Sequence, residues 1–218
     1  MHLIIFDCDG VLIDSETISA QGYCNVYARY GQTIEPKDFY PFIGMKQLDI
    51  IKTLRGKEGG TIPLSADDEL SEEVLRLLEE NVKATPHIVP FLQNLAKPYC
   101  VASSSAMPRI RLSLTTAGLI DFFEPHLFSS SMVKHGKPAP DLFLLAAEKM
   151  GAQAQQCLVF EDSIAGVTAA VAANMTAIGY IGARHMPEGH EQRLIEAGAT
   201  KIIADWSEAD AIIKEYRV

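Results

Sequence analysis

The chain has 218 residues, 48% of them hydrophobic and 22% charged, which excludes a fibre or a disordered tail and allows one large domain or a main domain with a smaller companion. Its 19 basic and 28 acidic side chains leave a net charge of −9, which disfavours nonspecific adhesion to nucleic acid or anionic lipid, where clustered Lys and Arg must neutralise phosphate. Cys8, Cys24, Cys100 and Cys157 lie far apart without metal-binding spacing, so they read as free thiols of a reducing, cytoplasmic compartment.

The N-terminal apolar run is broken by acids after five residues and is too short for a signal-peptide core. Leu3 to Phe6 reads as a first buried strand. From about Ser15 to Val82 the pattern is helical, over Thr17 to Tyr30, Lys46 to Leu54 and Asp67 to Lys83, with a glycine-rich loop at Lys57 to Pro63 and no convincing strand. Further buried strands are predicted at Tyr99 to Ala102, His126 to Phe128, Cys157 to Phe160, Thr176 to Ile181 and Lys201 to Ala204. Helices over Arg109 to Ala117, Leu142 to Met150, Ile164 to Ala173 and Gln192 to Ala197 fill the gaps, several closed by Gly118, Gly151 or Gly198.

Strands alternating with helices predict an α/β fold, a doubly wound parallel sheet covered on both faces. Residues 15–83 then form an inserted helical subdomain, and 1–14 with 84–218 form the core. Gly10 to Ser15 and Ala84 to Pro86 are the hinges. The span Ser163 to Ala183 carries no charge and approaches the length of a membrane helix. Asn174 stops the helical pattern inside it, so it reads as helix, turn and strand, and no membrane partner is expected.

In such sheets functional groups collect beyond the carboxyl ends of the strands. Asp7 and Asp9 follow the first strand, two residues apart on extended backbone, and are expected to point the same way. Glu161 and Asp162 repeat the pattern after Cys157 to Phe160. Acids beside buried strands are costly without a compensating cation, so the two clusters suggest one shared divalent ion with oxygen ligands. Ser103, at a third strand end, offers a hydroxyl and nearby backbone N–H groups, and Lys137 offers a point cation. Alone, the serine is an ordinary helix cap and the lysine an ordinary solvated cation; with the acids they make a phosphate site.

These residues lie in FDCDGVLIDSE at 6–16, VASS at 101–104, KHGKPAPD at 134–141 and VFEDSIAG at 159–166. In that order the sequence resembles the haloacid dehalogenase (HAD) superfamily, within it the phosphatases and β-phosphoglucomutases whose Rossmann-like core carries a helical cap after the first strand. The resemblance implies Asp7 as nucleophile and Asp9 as general acid, then base. It implies Mg²⁺ held by Asp7, the Asp9 carbonyl and Asp162 with Glu161 assisting, phosphoryl contacts from Ser103, Ser104 and Lys137, and specificity contacts from Lys46 and Gln47 of a cap loop.

The implied activity is Mg²⁺-dependent hydrolysis of small phosphomonoesters, sugar phosphates or related metabolites, because a closed cap leaves no room for a protein substrate. Dehalogenases of the superfamily lack the second acid. Mutases carry a His and an Arg where this chain has Ser19 and Gln47, which favours hydrolysis over the mutase alternative. A phosphonate-cleaving relative would need a lysine that Thr17 to Tyr30 lacks. A phospho-acceptor or silent binding protein is the remaining alternative. A receiver module is roughly half this length and has no cap, and no motif residue is missing. Oligomeric state is left open.

Overall fold

The structure, a computed structural model, describes residues 3–42, 50, 63, 66–183 and 186–216. Six strands form one parallel sheet: β1 (Leu3–Phe6), β2 (Tyr99–Ser103), β3 (Leu127–Ser129), β4 (Cys157–Glu161), β5 (Thr176–Tyr180) and β6 (Lys201–Ile203). They lie in the order β3-β2-β1-β4-β5-β6. The winding reverses between β1 and β4, so their carboxyl ends flank the crevice where such sheets bind ligands.

Side chains alternate across the sheet as the pleat demands. Leu3 and Ile5 join one apolar cluster with Val159 and Ala177, covered by α6 (Asp141–Lys149), α7 (Ile164–Ala172) and α8 (His190–Glu196). Ile4 and Phe6 face the other way, under α3 (Ile88–Asn94), α4 (Met107–Thr116), α5 (Ile120–Phe123) and α9 (Ala209–Glu215). On that side Phe6 stacks on Phe160 at 5.4 Å and meets Phe123 edge-on at 5.9 Å. Such aromatic pairs add about 0.5–1.5 kcal/mol each beyond the area they bury.

After β1 the chain leaves the sheet through α1 (Glu16–Arg29) and returns along α2 (Ala66–Asn81). The two helices pack closely: a Cβ on Gly22 would fall 2.7 Å from Val74 Cγ2. Glu73 of α2 ties them together, accepting from Asn25 at 2.7 Å, Arg29 at 3.1 Å and Arg76 at 3.0 Å. Arg76 and Asn25 hold the Glu73 carboxyl down to about 2 against the opposing effect of burial. A depressed acid contributes stability above its unfolded pKa of about 4.3 and loses it as pH falls towards the folded value. Thermal melts should therefore show that part of the acid loss between about pH 4.5 and 2 disappears in Glu73→Gln. An unchanged acid limb would show that the α1–α2 contact does not depend on this carboxylate.

Where the excursion begins and ends, the two chain segments are sewn together. Asp14 N donates to Lys83 O at 3.0 Å and Thr85 N to Leu12 O at 2.9 Å. The Thr85 hydroxyl donates to Val11 O at 2.8 Å and accepts from the Trp206 indole at 3.0 Å. The predicted hinge positions are thus anchored to the core.

The elements predicted from sequence recur within one or two residues at most ends, apart from the helix expected at Lys46 to Leu54 and the loop from Lys57, which lie almost wholly outside the described residues. The uncharged span resolves into α7, Asn174 at φ 56° and β5. Among the described residues no helix is long and apolar enough to cross a membrane. All four cysteines are free thiols.

Candidate active site

The crevice between β1 and β4 is floored by acids. Asp7 directly follows β1, its N–H continuing the ladder to Phe160 O at 3.0 Å. Glu161 ends β4, and Asp162 follows it. All three side chains are buried, with Ser103, Ser163 and Lys137. The Lys137 ammonium, delivered by the loop before α6, lies 2.5 Å from Asp7 Oδ1 and 2.5 Å from Glu161 Oε1. Glu161 uses its second oxygen to accept from Ser163 N at 2.8 Å and Ser163 Oγ at 2.9 Å, and the same hydroxyl caps α7 by accepting from Gly166 N at 3.0 Å. The helix runs close beneath: a Cβ on Gly166 would land 1.8 Å from Glu161 Oε1. On the other side a Cβ on Gly10 would land 1.9 Å from Asp162 Oδ2, and Gly10 has φ +80°. Both glycines are therefore required by the packing of carboxylates on backbone.

Asp9 departs from the expected geometry. The chain turns at once, with Gly10 N donating to Ile13 O at 2.8 Å and Leu12 N to Cys8 O at 3.0 Å, and the two carboxylates acquire different partners. Asp7 faces Lys137. Asp9 accepts from Arg109 Nη2 at 2.8 Å, Ser15 Oγ at 2.7 Å and Ser105 Oγ at 2.7 Å, with Ser103 Oγ at 3.4 Å.

The electrostatics divide accordingly. Burial holds the Asp7 carboxyl well above the ordinary carboxylate range; Lys137 opposes this, while Glu161, Asp162 and Asp9 push the same way. Burial and Glu161 likewise raise Asp162, against Lys137. Burial also works against Asp9 as an anion, yet Arg109 and the hydrogen bonds from Ser15 and Ser105 hold it below its ordinary value. Lys137 is raised, because Asp7 and Glu161 outweigh the burial that would lower it.

The loop after β2 is held by serines at and just after the end of β3. Ser129 Oγ donates to Ser105 O at 2.7 Å, and Ser130 Oγ donates to Ser104 O at 2.6 Å. Ser103 Oγ accepts from Ser105 N at 3.0 Å. His190 of α8 stands 2.6 Å from Asp162 O and fixes the backbone there. His135 pairs with Asp141 at 3.1 Å on an exposed face. Lys46 and Gln47 lie outside the described residues.

The structure thus joins Asp7 and Glu161 through Lys137, with Asp162, Asp9 and Ser103 lining the same crevice and Ser104 in the loop after β2. Arg109, Ser15, Ser105, Ser129, Ser130 and His190 were not singled out from sequence. The run VASSSAMPR offers the only hint, an arginine opening the helix that follows the serine of a strand end.

The donor set suits a hard divalent cation, since it is all oxygen and negative charge is in excess around Asp7 and Asp162. As placed, no three such groups among the described residues enclose a point where an ion would sit. The single charge of Lys137 is shared between Asp7 and Glu161, whereas burial and then the charge of Glu161 raise Asp162. The residues present fit a cation on chemistry.

A family model described as a haloacid dehalogenase-like hydrolase matches residues 1–174. A hexitol phosphatase A of Escherichia coli is 32% identical over 197 residues, 88% of this chain and 88% of that protein. A 6-phosphogluconate phosphatase of the same organism is 29% identical over 177 residues, 80% of each chain. Among solved structures, a conserved haloacid dehalogenase-like protein of unknown function from Agrobacterium tumefaciens superposes with TM-score 0.88 at 33% identity, covering 100% of both chains.

Proposed function

The chain belongs to the haloacid dehalogenase-like hydrolase family, and from that premise we propose that it hydrolyses small phosphomonoesters, sugar phosphates or related metabolites, through an aspartyl-phosphate formed on Asp7. The observation that carries this reading is the partition of the two acids: a buried carboxylate held by a lysine ammonium, beside a second carboxylate held by an arginine and two hydroxyls. Nucleophile and proton-handling group need such different environments within one site. The two named phosphatase relatives support the substrate class, since both names specify phosphorylated polyols or sugar acids.

Asp7 attacks phosphorus in line, and the leaving alkoxide departs on the side of Asp9. Asp9 must carry a proton when the first step begins; it gives that proton to the alkoxide and takes one back from the water that opens the acyl-phosphate. In the arrangement described Asp9 is the ionised partner of Arg109, the form that the second step uses. Ser103 and the backbone of the Ser103–Ser105 loop donate to phosphoryl oxygens, and Lys137 keeps charge from building on Asp7 and on the transferring group. Asp7, the Asp9 carbonyl and Asp162, with Glu161 assisting, would hold Mg²⁺, which would supply the charge that lets an anion approach an anion. Residues 15–83 serve as a cap that excludes water, with Lys46 and Gln47 contacting the part of the substrate beyond phosphate.

Ser19, which stands where mutases carry a histidine, accepts from Arg109 at 2.9 Å and is no proton shuttle, which favours hydrolysis over mutase chemistry. Release of p-nitrophenol from its phosphate ester tests the reading. Turnover should continue steadily with Mg²⁺ and fall at least roughly a hundredfold in excess chelator. One equivalent of phosphorylation without turnover would instead identify a phospho-acceptor, and undiminished turnover in chelator would remove the metal.

A further inference from the structure

Arg109 is the second cation of the site and is placed unlike the first. It rises from the first turn of α4, with a side chain only 16% exposed, and its Nη2 reaches both Asp9 Oδ1 at 2.8 Å and Ser19 Oγ of α1 at 2.9 Å. It therefore joins the sheet domain to the helical insert at the mouth of the crevice. Ser19 in turn donates to Ser15 O at 2.9 Å, so its hydroxyl hydrogen is already committed. The charges of Glu16 and the Tyr23 phenol also act on the guanidinium. Even so, Arg109 Nε is buried and has no hydrogen-bond partner among the described residues. A buried donor on a charged group without an acceptor is costly, and a site that keeps one is shaped for an acceptor that arrives.

Position says what that acceptor belongs to. Lys137 is committed to Asp7 and Glu161, on the phosphoryl side. Arg109 is on the Asp9 side, where the alcohol leaves. Arg29, Arg76 and Arg111 are engaged in surface ion pairs. Both hydrogens of Nη2 are taken by Asp9 and Ser19, so Nε is the buried donor left over, and a charge-assisted bond from it favours an anionic oxygen over a lone hydroxyl.

We infer that Arg109 determines specificity by binding an anionic oxygen group, a carboxylate or a second phosphate, on the alcohol portion of the substrate. This rests on the proposed phosphatase reading and narrows its substrates to phosphoesters carrying a further negative charge.

The test compares esters that differ only in that charge: gluconate 6-phosphate against glucitol 6-phosphate for the carboxylate, and fructose 1,6-bisphosphate against fructose 6-phosphate for the second phosphate. The parent enzyme should favour the charged member of at least one pair by about ten- to a hundredfold in kcat/KM, the scale of a charge-assisted hydrogen bond; the pair that responds identifies the source. Arg109→Gln should bring that ratio close to one, chiefly through KM, and Arg109→Lys should retain part of it. A parent ratio at or below one in both pairs overturns the inference, and needs no variant to fold. So does an equal loss on every ester in Arg109→Gln, which would make Arg109 a structural strut. Parent protein inert towards all four esters defeats the phosphatase reading itself, whereas turnover with flat ratios defeats only the role of Arg109.

Discussion

Asp7→Asn is expected to lower kcat by roughly 10⁴-fold or more while leaving the melting temperature at or above that of the parent. The two halves of this expectation have one cause. Burial together with the charges of Glu161, Asp162 and Asp9 raises the Asp7 carboxyl, with only Lys137 opposing. For such a group the folded state binds its proton more tightly than the unfolded chain, so its contribution to stability is present at low pH and is lost as pH rises through the folded value. At neutral pH an ionised Asp7 is a cost carried for chemistry. Asparagine keeps the shape and can still accept from Lys137, which retains Glu161, but its amide cannot form an acyl-phosphate. Enzymes commonly carry this exchange of stability for reactivity at the nucleophile. Activity with p-nitrophenyl phosphate and a thermal melt read the two halves separately. A variant that keeps more than a hundredth of the parent rate, or melts well below it, would contradict the assignment.

Lys137→Met should fail in the opposite way, losing both stability and rate. Its ammonium is shared by two buried carboxylates and sits 4.9 Å from the centre of the Phe143 ring. Removing one partner of a buried ion pair costs about 3–5 kcal/mol, because the remaining charge stays desolvated. The rate should drop by roughly 10²–10³, the usual loss when one preorganised charge facing a transition state is removed. Lys137→Arg should restore little, because arginine differs from lysine in size and shape: a planar fork cannot occupy the point between Asp7 Oδ1 and Glu161 Oε1. Urea denaturation with parallel steady-state kinetics measures both effects. Parental stability in Lys137→Met would mean that Asp7 and Glu161 are not charged together in the folded protein.

How much of this was legible in the sequence depends on the range over which each residue acts. Asp7, Glu161 and Asp162 could be found because apolar runs announce their strands and an acid at the end of a buried strand stands out against it. Ser103 was found as a hydroxyl at a third strand end and Lys137 as a loop cation, each telling only beside the acids. The partners of Asp9 were not, because Arg109 and Ser105 reach it across 100 and 96 positions of sequence and carry no local pattern. The same holds for Ser129, Ser130 and His190, whose work is to hold backbone carbonyls. The expectation that Asp7 and Asp9 share a direction assumed continued strand; Gly10, with φ +80°, turns the chain immediately and gives each acid its own cation. Among the helices, α3 was missed because Pro90 lies inside a seven-residue segment, and α9 because a seven-residue helix shows too little periodicity. The parallel sheet was legible from alternation, but the central place of β1 beside β4 was not, since it depends on which strands pair.

If Asp7 becomes phosphorylated during turnover, the phosphorylated species can be trapped. Parent protein quenched in acid during turnover of a phosphoester, then reduced with borohydride, should yield a peptide in which residue 7 has become homoserine, the product of an acyl-phosphate. The modification should be absent without substrate. Homoserine at another acid, or burst kinetics without any modified residue, would contradict the account.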